Sequence, residues 1–410
     1  MSITVQKYGG TSLADSERVK AVAHRICKSF NNGGKVLAVV SAQSGMTDML
    51  TQKIKEVCND PHKRESDVVL STGELISIGL LSIAINNLGV KALSLNSFQA
   101  GIFTEGEFTK SKILQINIEK IIKNFEYYDV IIIPGFQGVN ENNEITTLGR
   151  GGSDITAVAL TVSLKLREVE IYTDVDGVYT ADPRIIDNPF KINELSYQEM
   201  LEMAGSGSKV LHSRSVELAS KNEIKIKLLS SFNYNYGTEI KKEELCVEKP
   251  AIRAISNTKN ESKITIFGIS KDPKNIAYIF EEISKENINI DVIVQDLENN
   301  KSNISFTLSK EDFEETFEIV KRICKPLNAV DIVGNKNVAK VSLIGVGMKS
   351  NPGVAAKVFK TLAEKNIDIL MISCSEIKIS CIINEKDMEN ATIELHKNFF
   401  ENKKIEGEFK

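Results

Sequence analysis

The stretch Gly149-Arg150-Gly151-Gly152-Ser153-Asp154 decides how the first half of the chain is interpreted. Three glycines surround one arginine, and a largely apolar run follows from Ile155 to Leu166. This pattern predicts a tight turn that leads into the first turn of a helix. Because free amides at a helix start favour an anion, the stretch is either an anion site or an ordinary glycine-rich loop capped by Ser153 or Asp154. A second loop of the same kind favours the site.

That second loop lies near the start of the chain. Ile3 to Tyr8 are predicted to form a short strand, and a polar turn leads from it to a helix predicted from Ser16 to Phe30. The turn consists of Gly9, Gly10, Thr11 and Ser12. Lys7 precedes the glycines, so the segment is not a Walker P-loop, but its amides, hydroxyls and cation suit a phosphate. Taken alone, a surface turn with a solvated lysine also explains it.

Composition limits the classes of protein to which the chain can belong. Its 410 residues, 42% hydrophobic and 26% charged, are enough for a sizeable core and predict two or more domains. The net charge of -4 gives no case for a nucleic-acid or membrane surface. No secretory signal is visible, and the apolar run Leu75 to Leu88 is interrupted by polar residues and too short to span a bilayer. Six cysteines without CxxC spacing predict a reduced, cytoplasmic protein.

Buried strands alternate with helices in the first half of the chain. Val36 to Val40, Val130 to Ile133 and Val169 to Tyr172 are continuous apolar runs, as expected for strands covered by helices on both faces. The pattern predicts an α/β fold in which a mostly parallel sheet lies between two helix layers, a three-layer αβα sandwich. A polar loop, Ser41 to Thr47, follows the second strand at the edge where open α/β sheets bind ligands.

Carboxylates in two further loops leave alternatives open. Ser71-Thr72-Gly73-Glu74 is predicted to open a helix from Leu75. There Glu74 either complements the helix dipole or receives the ammonium group of a substrate. Asp174 and Asp176, which follow the third of the buried strands, either belong to a glycine turn or line a nucleotide and metal site.

The second half of the chain contains an internal duplication. Lys241 to Lys249 are charged and irregular, and we place the domain boundary there. A shift of 79 residues then aligns the two copies. The matching pairs are Pro273 and Pro352, Ala277 and Ala356, Phe280 and Phe359, Ile283 and Leu362, Asn287 and Asn366, Ile288 and Ile367, Ile290 and Ile369, and Ile293 and Ile372. Each copy is predicted to contain a strand, an amphipathic helix and two further strands.

Together these motifs resemble the aspartate kinases of the amino-acid kinase family. The matching segments are Lys7 to Ser12, Ser71 to Glu74, Gly149 to Asp154, Thr173 to Tyr179 and Asp182 to Arg184. The resemblance extends over essentially the whole chain, and the duplicated copies resemble ACT domains. Tyr8 is a small departure, because the family often has phenylalanine there. The resemblance implies a catalytic domain at 1–245 and ACT modules at 250–335 and 336–410. In this arrangement a strand of one module can belong to the sheet of the other.

The resemblance implies ATP-dependent phosphorylation of the aspartate side-chain carboxylate to 4-phospho-aspartate, the first step toward lysine, threonine and methionine. A carboxylate is already ionised at neutral pH, so the reaction needs no general base, and the presence of only four histidines is no objection. The reaction requires that two anions be held together while their charge is neutralised. Mg²⁺ would bridge the phosphates of ATP with few direct protein ligands.

The resemblance also assigns roles to the residues of the motifs. Lys7 would neutralise the transferring phosphoryl group, Asp154 would orient Lys7, and Arg150 would clamp a substrate carboxylate as a planar fork. Phosphate oxygens would be held by Gly9, Gly10, Thr11 and Ser12. The residues around ATP would be Thr173, Asp174, Tyr179, Arg184 and Lys209. The residues around aspartate would be Ser41, Thr47, Glu74 and Ser153, with Glu74 on the ammonium group.

ACT modules commonly pair edge to edge and bind an amino acid at the interface, so the resemblance implies feedback inhibition and a homodimer or homotetramer. We name lysine first and threonine second as the inhibitor. The candidate effector contacts are Asp291 and the loop Gly268 to Asn275 in the first module, with Met348 and Asn351 in the matching loop Gly347 to Gly353. Alternatively, the duplicated modules serve only for dimerisation.

Two other functions compete with this one. The first is another amino-acid kinase that acts on glutamate, acetylglutamate or a nucleotide; Glu74 together with Arg150 favours a small zwitterion instead. The second is a non-catalytic amino-acid sensor whose kinase half is only a scaffold. The presence of Lys7, Arg150 and Asp154 together argues against the sensor.

Overall fold

The computed structural model describes residues 2–208, 210–243, 252–298, 301–346, 348, 351 and 353–401. The chain divides into two compact units. The first comprises Met1–Val178, Lys191–Ala204 and Lys209–Leu245. The second comprises Tyr179–Phe190, Gly205–Ser208 and Cys246–Lys410. The second unit therefore includes two short segments that precede residue 245 in the chain.

Strands of the first half build the sheet that positions the site. They are β1 (Ile3–Tyr8), β2 (Lys35–Val40), β3 (Ala92–Ser94), β4 (Ile102–Glu105), β5 (Lys112–Ile116), β6 (Val130–Pro134), β7 (Gln137–Val139), β8 (Ile145–Thr147), β9 (Glu168–Thr173), β10 (Val178–Tyr179), β11 (Lys191–Ile192), β12 (Glu194–Ser196), β13 (Lys225–Ser230) and β14 (Thr238–Lys241). The helices are α1 (Ser16–Asn31), α2 (Met46–Val57), α3 (Lys63–Asn87), α4 (Ser97–Ala100), α5 (Ile118–Asn124), α6 (Gly152–Ser163), α7 (Tyr197–Gly205) and α8 (Ser213–Lys221), with a 3₁₀ turn at Gly10–Leu13.

The main sheet has eight strands in the order β12-β14-β13-β9-β1-β2-β6-β3. Its pairs are parallel except for the antiparallel pair of β13 and β14, so the predicted mostly parallel sheet is confirmed. All five residues from Val36 to Val40 are buried, as the apolar run predicted. Because β1, β2 and β9 lie side by side and run in the same direction, the loops after them meet at one edge of the sheet.

Helix α3 corrects two predictions made from the sequence. It begins at Lys63 and not at Leu75, so Ser71 to Glu74 lie in its interior. Gly73 does not start the helix; a Cβ there would lie 2.8 Å from the Cβ of Ala42, so glycine allows close packing. The run Leu75 to Leu88, on which the expectation from the sequence rests, is too short to span a bilayer. The full helix is longer, and by length and composition it is apolar enough to cross a membrane, so that expectation is wrong for α3. These two properties are weak evidence for a membrane span, because core helices of soluble proteins share them.

The second unit contains one six-stranded antiparallel sheet. Its strands are β15 (Ala254–Ser270), β16 (Ile290–Glu298), β17 (Lys301–Leu308), β18 (Asp331–Ile344), β19 (Ile369–Cys374) and β20 (Lys378–Asn384), in the order β16-β17-β15-β18-β20-β19. The helices are α9 (Pro273–Lys285), α10 (Phe313–Cys324), α11 (Gly353–Glu364) and α12 (Met388–His396), with a 3₁₀ turn at Glu385–Asp387 and a π turn at Lys397–Glu401. The predicted strands and the helices α9 and α11 are present.

Each copy also has a second helix, α10 or α12, that the duplication did not predict. These helices cover the sheet, because Val320 on α10 and Leu395 on α12 are fully buried in two separate apolar cores. Strand β15 belongs to both cores: Ile255 lies in one and Ile264 in the other. The predicted boundaries at 245, 250, 335 and 336 stay a prediction.

Candidate active site

A cavity of about 530 Å³ opens in the first unit, at the carboxyl edge of the main sheet. Its lining includes the end of β1, the loop after β2, the middle of α3, and the glycine-arginine loop that leads into α6. The predicted residues among its lining are Lys7, Gly10, Ser41, Thr47, Glu74, Arg150, Ser153 and Asp154. The cavity therefore brings together residues that are more than 140 positions apart in the sequence.

Lys7 and Asp154 form an ion pair at this cavity. Their Nζ and Oδ1 atoms are 2.6 Å apart, and the side chains are 12% and 11% exposed. Lys7 sits at the carboxyl end of β1, and Asp154 sits in the first turn of α6, where the helix dipole favours a carboxylate. The carboxylate thus holds the lysine at a fixed place beside the cavity, with the cation still partly accessible.

The glycine-arginine loop has the predicted tight turn. Gly149 and Gly151 adopt φ values of 74° and 72°, which L side chains rarely adopt. Gly151 is the N-cap of α6 and no side-chain capping bond is present, which argues against the alternative of a loop capped by Ser153 or Asp154. Within the described residues, the Gly151 and Ser153 amides donate no hydrogen bond. These two amides at a helix start are available for an anion.

Arg150 and Ser153 flank these amides. Arg150 is exposed and, among the residues that the structure describes, makes no hydrogen bond or ion pair. The hydroxyl of Ser41 donates to that of Ser153 over 2.9 Å, which joins the loop after β2 to the start of α6. A Cβ at Gly135 would lie 2.6 Å from the Cβ of Ser153, so glycine is required there. The cavity wall thus combines a free guanidinium with two hydroxyls.

Glu74 is the buried carboxylate of the cavity. Its side chain comes from the middle of α3, so the suggested role at a helix start is wrong. The residue is 3% exposed, and its Oε1 accepts a hydrogen bond from the Ala42 amide over 3.0 Å. Its Oε2 has no partner in the described part of the chain. Burial raises the pKa of Glu74 to about 7. A buried carboxylate oxygen without a partner suits a cationic group of a ligand.

The loop Gly9 to Ser12 leads into a 3₁₀ turn that runs from Gly10 to Leu13. The Gly9 amide donates to the Tyr172 carbonyl over 3.1 Å. Ser12 is fully buried, and its hydroxyl donates to that of Ser231 over 2.8 Å. A Cβ at Gly10 would lie 2.7 Å from the Ala42 carbonyl oxygen. Ser12 therefore stabilises the turn through its bond to Ser231. Gly10 is the residue of this turn that lines the cavity.

Of the residues predicted around ATP, Thr173 and Asp174 belong to the first unit but do not line this cavity. Thr173 donates its hydroxyl to Asp174 over 3.0 Å at the end of β9. Tyr179 and Arg184 belong to the second unit, and Lys209 lies outside the described residues. Asp176 lies 3.7 Å from the Lys191 Nζ, in an ion pair. No group of three or more histidine, cysteine, aspartate or glutamate side chains that could hold a metal occurs in the described part of the chain.

The candidate effector residues lie in the second unit. The buried Lys340 amine pairs with Asp291 and, over 2.6 Å, with Glu261. Burial lowers the pKa of Lys340, but the two carboxylates outweigh it and raise that pKa overall. Asp291 remains partly accessible at its side chain. Met348 is 7% exposed and packs in an apolar core, and the Asn351 amide donates to its carbonyl over 3.4 Å. Thus Asp291 offers a polar contact and Met348 does not face solvent.

Comparison with known proteins identifies the family. Residues 2–230 match the model of the amino acid kinase family, and residues 341–399 match that of an ACT domain. The aspartokinase of Geobacillus stearothermophilus is 44% identical over 400 residues, which cover 97% of each chain. The chain belongs to the aspartokinase family.

Other aspartokinases also match over nearly all of this chain. That of Helicobacter pylori strain 26695 is 44% identical over 399 residues, 96% of this chain and 98% of that protein. The crystal structure of E. coli aspartokinase III with aspartate and ADP has a TM-score of 0.81 at 24% identity and covers 98% and 100% of the two chains, which shows the shared fold. The Synechocystis aspartate kinase structure is 36% identical with a TM-score of 0.54, over 97% and 69%. This aspartokinase is a phosphotransferase with aspartate kinase activity.

Three residues that support the site of this aspartokinase were missed in the sequence. Asp67 is fully buried and accepts hydrogen bonds from the hydroxyl and the amide of Thr147, over 2.6 and 2.9 Å. Arg214 donates to the Leu148 carbonyl over 2.7 Å, and a Cβ at Gly151 would lie 2.3 Å from His212. Asp67 and Arg214 hold the residues just before the glycine-arginine loop, and His212 lies beside Gly151 within it. A signal existed only for Asp67, a carboxylate next to the apolar run Val68-Val69-Leu70.

Proposed function

We propose that this aspartokinase transfers the terminal phosphoryl group of ATP to the side-chain carboxylate of L-aspartate, giving 4-phospho-L-aspartate and ADP. The observation that carries the proposal is the composition of the cavity. It combines a buried carboxylate with one oxygen that has no partner among the described residues, an accessible guanidinium, and a lysine held by an aspartate. A small molecule with one ammonium and two carboxylates matches these three groups.

Each group has a separate task in the proposed mechanism. Glu74 receives the ammonium group of aspartate, which supplies the missing partner of its Oε2. Arg150 binds the α-carboxylate as a fork, a geometry that a lysine does not offer. The hydroxyls of Ser41 and Ser153 and the side chain of Thr47 complete the aspartate pocket. The side-chain carboxylate of aspartate is then held as the nucleophile and is already ionised.

Lys7 neutralises charge where the phosphoryl group moves between donor and acceptor. Two anions repel each other at the distance that transfer requires, and a fixed cation between them lowers that cost. Asp154 keeps the ammonium group of Lys7 in place through the 2.6 Å ion pair. The free amides of Gly151 and Ser153 add a positive partial charge at the start of α6. Catalysis thus depends on position and charge, without proton abstraction.

ATP enters as its Mg²⁺ complex, so the metal is part of the substrate. We propose that Thr173, Asp174, Tyr179, Arg184 and Lys209 bind the nucleotide, and that the turn Gly9 to Thr11 approaches its phosphates. Ser12 supports that turn through its bond to Ser231. The E. coli aspartokinase III structure is a complex with aspartate and ADP, and these ligands of that protein support both substrates here.

We further propose feedback inhibition by an end-product amino acid, lysine first and threonine second, through the second unit. A second E. coli aspartokinase III structure contains lysine and aspartate. Asp291 is the polar group that an effector's ammonium would meet, since it is partly accessible and pairs with the buried Lys340. A homodimer or homotetramer joined by the ACT modules and a cytoplasmic location stay predictions from the sequence.

The proposed reaction is tested by ADP release with a panel of acceptors. The panel contains L-aspartate, D-aspartate, L-glutamate, N-acetyl-L-glutamate and a nucleoside monophosphate, each with MgATP, and trapping with hydroxylamine detects the acyl phosphate. We expect a hydroxamate with L-aspartate alone. Repeating the assay with lysine, threonine and methionine tests the effector. Faster turnover of any other acceptor than of L-aspartate contradicts the proposed substrate.

A further inference from the structure

The segment Tyr179–Phe190 belongs to the second unit, although the residues on either side of it in the chain belong to the first. The first unit stops at Val178 in the chain and resumes at Lys191. The segment carries Tyr179 and Arg184, for which nucleotide binding is proposed above. We call it the nucleotide segment. Its internal packing therefore has consequences for ATP, provided that the proposed function holds.

Thr180 is the residue through which the nucleotide segment is tied down. Its amide donates to the Phe190 carbonyl over 2.9 Å, and its hydroxyl accepts from the Phe190 amide over 3.1 Å, which closes the segment. Its carbonyl accepts from the Ile255 amide over 2.7 Å. Since Ile255 belongs to β15, the segment is bonded to the six-stranded sheet of the second unit. Thr180 itself is 3% exposed.

His396 is the second partner of Thr180. Its Nε2 lies 3.0 Å from the Thr180 hydroxyl, and the residue is 1% exposed at the end of α12. The imidazole ring stacks on Phe190 at 6.3 Å and on Phe400 at 4.9 Å between centroids. Burial lowers the pKa of His396, so the ring is neutral near pH 7. The side chain of His396 thus connects α12 to Thr180 and Phe190, which lie near the two ends of the nucleotide segment.

Apolar contacts extend the same attachment. Ile185 and Phe190 pack against the core formed by the second ACT-like copy, whose members include Leu395 and Phe399. Between its ends the segment exposes Arg184, whose guanidinium pairs with Asp182 over 2.6 Å. The anchored ends are buried while the arginine is accessible. This arrangement is typical of a loop that a scaffold presents to a ligand.

From these contacts we propose that Thr180 and His396 are positioning residues for ATP. They hold the nucleotide segment on the apolar core of the second ACT-like copy. A change in that core therefore alters the affinity for the nucleotide. The proposal rests on the proposed nucleotide site and adds its regulation: the second ACT-like copy acts on ATP binding through a part of the chain that it holds by direct hydrogen bonds.

The test uses matched variants of the full-length chain. Thr180→Val keeps the shape but removes the hydroxyl, whereas Thr180→Ser keeps the hydroxyl. His396→Phe keeps an aromatic ring for stacking but removes the bond to Thr180. For each variant we measure KM for ATP and for aspartate, the Kd of a non-hydrolysable ATP analogue by calorimetry, and the Tm. We expect Thr180→Val and His396→Phe to raise KM for ATP and the Kd roughly threefold to tenfold.

KM for aspartate should stay unchanged in all three variants, and Thr180→Ser should resemble the wild type. The double variant Thr180→Val/His396→Phe should be no worse than the worse single variant, because both remove one interaction. A lower Tm with unchanged KM and Kd for the nucleotide would mean that the pair is structural, and would overturn the proposal. A wild-type protein that binds the analogue without turning over aspartate would contradict the proposed function instead.

Discussion

Lys7 and Asp154 depend on each other at the site, since each is nearly enclosed and each supplies the charge that the other lacks. An enclosed ion pair of this kind is weak evidence for stability, because the charges lose hydration when they are buried. Its value lies in holding the cation at one place. The chemistry therefore depends on the position of a single amine.

Removing that amine should abolish most of the activity. We expect Lys7→Ala to lower kcat by at least about a hundredfold, because the transferring phosphoryl group loses its fixed counter-charge. The measurement is ADP release at saturating aspartate and MgATP, with circular dichroism to show that the variant is folded. Lys35→Ala is the matched control: Lys35 also pairs with an aspartate, Asp129, but at the amino end of β2. Near-normal turnover of Lys7→Ala would exclude the proposed mechanism.

The raised pKa of Glu74 predicts how aspartate binding depends on pH. With a pKa of about 7, Glu74 takes up a proton as the pH falls from 8 to 6 and loses the charge that attracts an ammonium group. We expect KM for aspartate to rise roughly tenfold over that interval, because about one site in ten is ionised at the lower pH. Glu74→Gln should have a high KM that no longer changes with pH. A wild-type KM that is flat between pH 6 and 8 would contradict this assignment.

The same pKa has the opposite consequence for stability. Burial raises the pKa of Glu74 above the 4.5 of an exposed glutamate, so the folded protein binds the proton more tightly than the unfolded chain. This residue's contribution to the free energy of unfolding therefore falls as the pH rises from about 4.5 through 7. We expect the wild-type Tm to decrease more between pH 5 and pH 8 than the Tm of Glu74→Gln, measured by thermal scans in parallel. Identical decreases would show that Glu74 is not desolvated.

Site residues could be predicted from the sequence where they belong to a motif with a recognisable chemical role. Residues that reach the site only through packing of distant parts of the chain could not be predicted. Lys7, Arg150 and Glu74 lie at one cavity, as their types suggested. Ser12 could not be placed, because the sequence does not show that its hydroxyl faces Ser231, which is 219 positions away. His212 was missed for the same reason, since its closeness to Gly151 arises only in the folded chain.

At the scale of elements, helix α3 links the sheet to the site. It carries Glu74 at its middle and packs its Gly73 against Ala42, whose amide bonds Glu74. The sequence failed here because Ser71 to Gly73 are typical of a turn, while the continuous helix is favoured by burial of its apolar face on the sheet. Strands were easier: β1, β2, β6 and β9 end within one residue of the prediction, since a buried strand is bounded by polar turns.

Two glycines of α3 provide a matched pair of substitutions. We expect Gly73→Ala to destabilise the protein by roughly 1–3 kcal/mol, because the added methyl group would lie 2.8 Å from the Ala42 Cβ and 3.3 Å from Met46. Gly79→Ala meets nothing within 4 Å, so it should stabilise the protein by up to about 1 kcal/mol through helix propensity. Urea unfolding of both variants measures the difference. If Gly73→Ala were as stable as Gly79→Ala, the packing of α3 on Ala42 would be wrong.

At the scale of the whole molecule, regulation should be separable from catalysis. We expect Asp291→Asn to raise the concentration of lysine or threonine needed for half-inhibition at least about tenfold, because an effector's ammonium loses a charged partner. Basal kcat should stay within about twofold of the wild type, since Lys340 keeps its pair with Glu261. Inhibition curves at fixed substrate concentrations measure this. Asp296→Asn, on the same strand and exposed, is the control, and equal effects in both variants would remove Asp291 from the effector site.

Domain organisation could be predicted only in part, because contacts do not follow the order of the chain. The boundary in the charged stretch after Lys241 stays a prediction, and the nucleotide segment and Gly205–Ser208, which precede that stretch, belong to the second unit. Nothing in their composition indicates this. In the sequence Ile185 and Phe190 are apolar residues with no feature that assigns them to either unit. Only the folded chain shows which apolar core they pack against.

Strand β15 has a consequence for how the duplicated copies move. Strand β18 pairs with β15 from Ala254 to Phe267, and β17 pairs with β15 from Ser262 to Ser270, so one uninterrupted strand runs through both copies. If either copy opens, part of β15 is exposed and the other copy loses a hydrogen-bonded strand. The rates of backbone amide hydrogen exchange in the two copies should therefore rise and fall together. The repeat doubled the sequence without creating a second independent folding unit.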